Sequence, residues 1–298
     1  MKALLFPGQG VQKVGMLNAL FEEVSEVKSI IDNVSKSLDF DLEDLLRNGP
    51  EEKINLTEFS QPTILVTSVL LAKYSNKLSN IDITAGLSLG EYSALVYSNC
   101  LDLSDAVKLV NYRGRLMQEA VPEGTAGMLV VLNMPINDVY KMIDDINESD
   151  ETINFSTDNA DGVSVLAGKN SAIEACKNYI ANGEFRRVKT QMVQMSVPSH
   201  CYLLDEAQEE LAKLLNEVEF KAPSIPVIPN VLAEPTSDVG VIQDSLINQL
   251  TKTVRWRETL DYLLKNNLSS LIDSGPGKTI INMARKIKDI EKISLEDD

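Results

Sequence analysis

Histidine is almost absent from this sequence, because His200 is the only one among 298 residues. Its three cysteines, Cys100, Cys176 and Cys201, form no CxxC pair and no disulfide framework. With one histidine and scattered thiols, a zinc site of cysteine and histidine ligands is nearly impossible, and we expect no metal. Unpaired thiols are typical of a reducing compartment, so we expect a cytoplasmic protein.

Long apolar runs and positive charge are also scarce. No apolar run reaches the roughly 18 residues that a membrane helix needs. The stretch Ala3–Phe6 is shorter than the apolar core of roughly 7–15 residues in a signal peptide, so we interpret it as part of a first strand. Lys and Arg total 28 against 44 Asp and Glu, which gives a net charge of −16. Nucleic-acid binding needs a basic surface, so neither nucleic acid nor membrane is expected as a partner.

Strand-like apolar runs alternate with amphipathic helical stretches, which favours the α/β class. Lys2–Phe6 and Asp82–Ala85 are predicted as early strands, and Ser270–Asp273 as a late one. Proline at an early helical position predicts a helix that opens at Gln61-Pro62. The acidic tail, Leu295–Asp298, is expected to fray.

The middle of the chain follows the order β-α-β-β-α-β, which is the ferredoxin-like pattern. Its predicted elements are Gly127–Asn133, Ile136–Ile146, Thr152–Ser156, Val163–Ala167, Ser171–Ala181 and Phe185–Val193. About seventy residues suffice for one small subdomain. We therefore predict a large α/β domain made of residues 1–124 and 194–298, with a subdomain inserted at residues 125–193.

A G-x-S-x-G pentapeptide, Gly86–Gly90, lies between a predicted strand and a predicted helix. This context is that of a nucleophile elbow, in which the glycines allow a sharp turn and leave Ser88 exposed. The backbone N–H of Leu89, at the helix start, can then face a developing oxyanion. The alternative is a serine that caps the helix.

A serine nucleophile needs a base, and His200 is the one imidazole available. It precedes a predicted helix, and the field at a helix N-terminus disfavours the imidazolium cation. The alternative is a histidine with no catalytic role. Asp158, Asp161 and Asp205 are possible third members of a triad, and the sequence singles out none of them.

Several motifs occur in the same order as in the malonyl-CoA:acyl carrier protein transacylases, a family that this sequence strongly resembles. The resemblance spans essentially the whole chain, and the run from Arg113 to Gly124 is its most specific part. The matching segments are Phe6–Gly10, Gly86–Glu91, Arg113–Gly124, Ser196–Cys201 and Ile272–Lys278. The resemblance implies an α/β-hydrolase-like domain with a parallel sheet and an inserted ferredoxin-like subdomain.

The resemblance also implies the main catalytic roles. Ser88 matches the nucleophile that carries the malonyl ester, and His200 matches its base. Arg113 matches the arginine that pairs with the free malonyl carboxylate, for which a guanidinium offers two parallel hydrogen bonds.

Further site residues follow from the same match. The backbone N–H groups of Gln9 and Leu89 match the family's oxyanion hole. Gln249 matches the residue whose backbone carbonyl orients the histidine in place of an aspartate. Asn159 and Met117 match residues of the substrate pocket.

Two departures from the family pattern stand beside these matches. Leu87 replaces the histidine that commonly precedes the nucleophile, and the segment 158–163 (DNADGV) replaces a more usual Asn-Ser-Pro-Gly-Gln. Asn159 lies within this second segment, so its match to the family is the one that the departure affects.

The function implied is a two-step transfer of malonyl from malonyl-CoA to the phosphopantetheine thiol of acyl carrier protein, in fatty-acid synthesis. No cofactor is implied, because the CoA thioester is a substrate, and the enzyme is expected to be a monomer. The alternatives are a serine hydrolase or thioesterase, an acyltransferase that serves a polyketide synthase or malonate decarboxylase, and a catalytically silent scaffold. Basic residues that could meet an acidic carrier protein form two groups, Arg186, Arg187 and Lys189, and Lys278, Arg285, Lys286 and Lys288.

Overall fold

The computed structural model describes residues 1–193 and 197–296. Three predictions reach beyond this part: the start of the second large segment at 194, the motif residue Ser196, and the end of the acidic tail at 297–298. The strands are β1 (Lys2–Phe6), β2 (Ile83–Gly86), β3 (Ala126–Leu132), β4 (Ile153–Ala160), β5 (Val163–Lys169), β6 (Lys189–Met192), β7 (Val227–Ile228), β8 (Ser270–Asp273) and β9 (Glu291–Ser294).

Thirteen α-helices occur within the same described residues. They are α1 (Asn18–Glu23), α2 (Ser25–Ser35), α3 (Leu42–Asn48), α4 (Glu51–Ile54), α5 (Thr57–Tyr74), α6 (Gly90–Tyr97), α7 (Leu103–Ala120), α8 (Ile136–Asn147), α9 (Asn170–Asn182), α10 (Asp205–Glu217), α11 (Val239–Gln249), α12 (Trp256–Lys265) and α13 (Thr279–Met283), with a short 3-10 helix at Tyr202–Leu204. Among these helices none is both long and apolar enough to cross a membrane.

A parallel sheet in the order β7-β2-β1-β8-β9 forms the centre of the larger part. Side chains alternate across a strand, so the apolar run of β1 contributes to two hydrophobic cores, one on each face of the sheet. Leu4 and Phe6 pack into a core that includes residues of α5, α6, α7 and α10. Ala3 and Leu5 face a second core that includes residues of α12 and α13. Helices on both faces of a parallel sheet confirm the α/β class.

The second sheet is antiparallel, in the order β4-β5-β3-β6, and helices α8 and α9 contribute to the core beneath it. This strand order is that of the ferredoxin-like pattern, so the predicted fold class is confirmed. All four strands lie between residues 126 and 192. The division at 124/125 and 193/194 remains a proposal.

The predicted start of one helix is wrong by four residues, because α5 begins at Thr57 and contains Pro62 in its interior. A proline leaves the carbonyl four residues earlier without its helical donor. That carbonyl belongs to Glu58, and it accepts a hydrogen bond from Asn111 Nδ2 on α7 at 3.0 Å. A contact between two helices thus compensates the proline, and sequence periodicity gives no sign of it.

The predictions for two later segments need correction. Strand β6 spans Lys189–Met192 only, because the predicted start at Phe185 lies in a turn closed by the Val188 N–H to Phe185 O bond. The C-terminal segment forms β9 at the sheet edge, which was not predicted. Leu295 was expected to fray, but it is fully buried and its N–H donates to Asp273 O at 3.0 Å.

Candidate active site

The turn after β2 has the geometry of a nucleophile elbow. Ser88 has a φ of 53°, a left-handed conformation that is uncommon for residues other than glycine. A Cβ on Gly86 would lie 1.9 Å from the Gly90 backbone, and a Cβ on Gly90 would lie 2.3 Å from Phe6 O. Only glycine fits at either position, so β2 can turn sharply into α6 directly beside the end of β1.

Ser88 and His200 meet across 112 residues of chain, with Ser88 Oγ 2.8 Å from His200 Nε2. His200 Nδ1 lies 2.7 Å from the backbone oxygen of Gln249 at the end of α11. A carbonyl oxygen only accepts, so Nδ1 carries the proton and Nε2 is free to accept from the serine. The serine, the imidazole and the orienting carbonyl therefore form a continuous hydrogen-bonded chain.

The surroundings of His200 favour its neutral form. The side chain is buried, and burial lowers its pKa to about 3. The charge of Arg113 contributes to this low value, whereas the hydrogen bond to Gln249 opposes both effects. A neutral imidazole can take a proton from a serine hydroxyl, which is what a general base requires.

Two backbone N–H groups lie at the carboxyl ends of β1 and β2, where the turns that follow these strands adjoin. The parallel register pairs Phe6 with Gly86, and the Leu87 N–H donates to Phe6 O at 2.9 Å. Gln9 follows β1, and Leu89 lies immediately before α6. In the part of the chain that the structure describes, neither N–H donates to a protein acceptor, so both remain available to an oxyanion.

Arg113 lies on α7 and is 1% exposed. Its Nη2 is 3.3 Å from Ser88 Oγ and 3.2 Å from Gln249 Oε1, and its Nη1 donates to Gln61 Oε1 at 2.9 Å. All of these acceptors are neutral, and no carboxylate of the described residues forms an ion pair with the guanidinium. A buried cation next to the nucleophile, without a direct counter-ion, is suited to an anionic substrate group.

A chain of side-chain amides continues from this arginine. Gln61 Nε2 donates to Gln9 Oε1 at 3.2 Å, and Gln9 Nε2 donates to Ser60 Oγ at 2.9 Å. Met117 is buried one helical turn beyond Arg113, with its sulfur 3.5 Å from Gln61 Nε2. Sequence reasoning used Gln61 only as a helix-start signal, so its contact with the arginine was missed.

Two further residues that sequence reasoning did not assign stabilise the elbow through hydrogen bonds, one directly and one through its neighbours. Asn230 Oδ1 accepts from the Ser88 N–H at 2.6 Å, and Asn230 Nδ2 donates to Gly86 O at 2.6 Å. Glu91 Oε2 accepts from the Asn230 N–H at 3.0 Å and from Gln249 Nε2 at 2.8 Å. Glu91 belonged to the elbow motif, whereas no sequence signal marked Asn230.

The three aspartates considered as triad members do not hydrogen-bond to His200 in the described structure. Asp158 is buried and forms an ion pair with Arg257 at 2.8 Å. Asp161 and Asp205 are exposed. Asn159 lines a groove near α13, and its buried Oδ1 has no partner among the described residues.

No group of three or more Asp, Glu, Cys and His side chains within residues 1–193 and 197–296 is placed to hold a metal ion. The organisation of the site is that of serine acyl-transfer chemistry on an α/β fold: a nucleophile at the carboxyl edge of a parallel sheet, hydrogen-bonded to a neutral base.

Comparison with known proteins agrees with this class. The sequence profile described as the acyl transferase domain matches residues 3–284. The malonyl CoA-acyl carrier protein transacylase of Salmonella typhimurium is 36% identical over 297 residues, which are 96% of this chain and 93% of that protein. The Bacillus subtilis protein of the same name is 34% identical, with 99% and 93% covered.

Solved structures give the same result. An acyl carrier protein S-malonyltransferase from Vibrio cholerae superposes with a TM-score of 0.92 at 38% identity, covering 98% of this chain and 95% of that one. A malonyl-transacylase in complex with a type II PKS (polyketide synthase) acyl-carrier protein superposes with a TM-score of 0.89 at 33% identity, covering 98% and 94%. This chain therefore belongs to the acyl transferase domain family, among the malonyl CoA-acyl carrier protein transacylases. The resemblance seen in the sequence is confirmed.

Proposed function

We propose that this protein transfers the malonyl group from malonyl-CoA to the phosphopantetheine thiol of acyl carrier protein, to supply fatty-acid synthesis. The observation that carries the proposal is the convergence on Ser88 Oγ, where His200 Nε2 lies 2.8 Å away and Arg113 Nη2 lies 3.3 Å away. One atom is thereby in reach of a base and of a cation that suits a free carboxylate.

In the first half-reaction, Ser88 Oγ attacks the thioester carbonyl carbon while its proton passes to His200 Nε2. The N–H groups of Gln9 and Leu89 hold the tetrahedral oxyanion, and Arg113 binds the malonyl carboxylate. The C–S bond then breaks, and the CoA sulfur takes the proton from His200. A malonyl-serine ester remains.

In the second half-reaction, the phosphopantetheine thiol gives its proton to His200 and attacks the ester carbonyl. The C–O bond to Ser88 breaks, and the serine oxygen recovers the proton from His200. The proposal needs no metal or redox cofactor, since CoA is a substrate, and it places a monomeric enzyme in the cytoplasm.

A groove between the antiparallel sheet and α13 supports a carrier-protein partner. It measures about 600 Å³ and is lined by Lys189 of β6 together with Arg285 and Lys286, which follow α13. Basic residues from both predicted groups thus line one groove, in a protein whose net charge is −16. Complementary charge is what the encounter with an acidic carrier protein requires.

Intact-protein mass spectrometry after brief exposure to malonyl-CoA tests the covalent step. Wild type and Ser93→Ala, a control at a buried serine on α6, should gain one malonyl group, whereas Ser88→Ala should gain none. Adding holo acyl carrier protein should then move the label to the carrier. CoA release without an adduct would instead indicate a hydrolase, and neither CoA release nor an adduct would indicate another donor or a silent site. Comparing fatty-acid and polyketide carriers as acceptors decides which pathway is served.

A further inference from the structure

Glu91 is a buried carboxyl group that the proposed mechanism does not use. It lies in the first turn of α6, three residues after the nucleophile, and has no solvent exposure. Its Oε2 accepts two hydrogen bonds, while its Oε1 has no partner among the described residues. Burying a carboxyl group with only half of its acceptors satisfied is costly, so its place beside the nucleophile needs an explanation.

Both hydrogen-bond partners of Glu91 hold the elbow. Asn230, whose N–H donates to Glu91, accepts from the Ser88 N–H and donates to Gly86 O. Gln249, whose Nε2 donates to Glu91 at 2.8 Å, also donates to Ser88 O at 3.0 Å. The left-handed backbone of Ser88 is therefore fixed at its N–H and at its carbonyl by two residues that share one carboxyl oxygen.

The same carboxyl determines which way the Gln249 amide points. A carboxylate only accepts, so the amide nitrogen of Gln249 must face Glu91, and the amide oxygen must face the other way. On that other side the amide oxygen accepts from Arg113 Nη2 at 3.2 Å. The backbone oxygen of the same residue accepts from His200 Nδ1. Gln249 thus contacts the nucleophile, the base and the cation, and Glu91 orients it.

We propose that Glu91 is a positioning residue: through Asn230 and Gln249 it holds the Ser88 backbone and turns the Gln249 amide oxygen toward Arg113. Its negative charge also balances the buried guanidinium from a distance, which leaves Arg113 without a carboxylate in direct contact. A glutamate bonded directly to Arg113 would occupy the position that the proposed substrate carboxylate needs.

The ionisable neighbours of Glu91 make this role measurable. Burial raises the pKa of Glu91 to about 7, and the charge of Arg113 on α7 partly opposes the rise. Burial also raises the pKa of Tyr92 to about 12 and lowers that of His200 to about 3. Arg113 remains a cation at all relevant pH values. Between pH 5 and 9, Glu91 is therefore the one group of this set that changes charge.

The single histidine of the chain, His200, can report on the charge of Glu91. We expect the imidazole ¹⁵N and ¹H resonances of wild-type His200 to shift with a midpoint near pH 7, although His200 itself stays neutral. The shift should be lost in Glu91→Gln, which keeps the side-chain shape but removes the charge. The matched control is Asp273→Asn. Asp273 is also buried, with a pKa raised to about 7, one oxygen that accepts two N–H bonds and one that has no partner.

Asp273→Asn should keep the His200 midpoint. A midpoint that survives in Glu91→Gln overturns the proposal. Loss of the midpoint in Asp273→Asn would assign it to Asp273 and would also overturn the proposal, so the test stands even if Glu91→Gln fails to fold.

A kinetic measurement completes the test, and it rests on the proposed function. In Glu91→Gln, kcat for malonyl loading of Ser88 should fall at least about tenfold, because small displacements of a nucleophile are costly. KM for malonyl-CoA should stay within about twofold of wild type, since Arg113 is retained. Wild-type kcat in Glu91→Gln overturns the proposal. Absence of malonyl loading in wild type would overturn the proposed function, and the resonance titration would still decide the role of Glu91.

Discussion

His200 Nδ1 lies 2.7 Å from the backbone oxygen of Gln249, forty-nine residues further along the chain. The acceptor is a backbone atom, so it carries no net charge and no side-chain substitution removes it. An aspartate at this position would stabilise the imidazolium cation, whereas a carbonyl orients the ring and leaves it neutral.

The first prediction concerns the protonation state of this ring. At pH 5, where a free histidine is mostly cationic, His200 should give ¹⁵N shifts of a neutral ring with the proton on Nδ1, because burial lowers its pKa to about 3. NMR at pH 5 and pH 8 checks this, with unfolded protein at pH 5 as the cationic reference. Imidazolium shifts in the folded protein at pH 5 would contradict it.

The second prediction concerns the choice of acyl group. Arg113→Ala should slow malonyl loading by about 10- to 100-fold, because a charged hydrogen bond contributes about 1.5–3 kcal/mol. Acetyl loading, which has no carboxylate to lose, should change little, so the malonyl preference should disappear. Rates of CoA release from both thioesters measure this. Arg115→Ala, an exposed position two residues along α7, is the control and should retain the preference. An unchanged preference in Arg113→Ala would assign malonyl selection to other residues.

The third prediction concerns the elbow. Gly90→Ala should abolish malonyl loading and strongly lower the melting temperature, because its Cβ would lie 2.3 Å from the backbone oxygen of Phe6 in the adjoining strand. Gly240→Ala on α11 is the matched control, since its Cβ meets only the Asp238 side chain at 3.3 Å. Alanine also favours a helix over glycine, so this variant should be as stable as wild type or more. If Gly90→Ala melted at the same temperature as wild type, β1 and α6 would be able to move apart at this position, and the prediction would be wrong.

The fourth prediction concerns stability and pH. Burial raises the pKa of Asp273 from 3.8 in the unfolded reference to about 7 in the folded protein. Between these values the folded state holds a proton that the unfolded state has lost, so this group lowers the free energy of unfolding as pH rises. Asp273→Asn lacks this contribution. Its melting temperature minus that of wild type should therefore be larger at pH 8 than at pH 5. An equal difference at both pH values would contradict the buried titration.

The fifth prediction concerns the carrier-protein groove. Reversing both Arg285 and Lys286 to glutamate should raise KM for the carrier protein several-fold and leave KM for malonyl-CoA unchanged, because these side chains line the groove and not the Ser88 site. Arg186→Glu with Arg187→Glu is the comparison, because these two residues belong to the other predicted group but, unlike its Lys189, do not line the groove. Steady-state assays at low ionic strength measure both. An unchanged KM for the carrier removes this groove from the docking surface.

Local signals determined a large part of this protein. The apolar run at Lys2–Phe6 and the glycines around Ser88 predicted a buried strand and an elbow, because both depend on neighbours in the chain. The motif from Arg113 onward indicated the family. Periodicity also showed the β-α-β-β-α-β order, since each of those elements buries one face.

Tertiary structure decided the rest, because the deciding contacts join residues far apart in the chain. A backbone carbonyl leaves no residue-type signal, so Gln249 as the partner of His200 rested on family resemblance until the fold brought the two together. Asn230 reaches Ser88 across 142 residues, and no local pattern marks it. Strand β9 is short and was not predicted, because its pairing with β8 is what stabilises it. The charge state of Glu91 follows from burial, which only the packed structure creates.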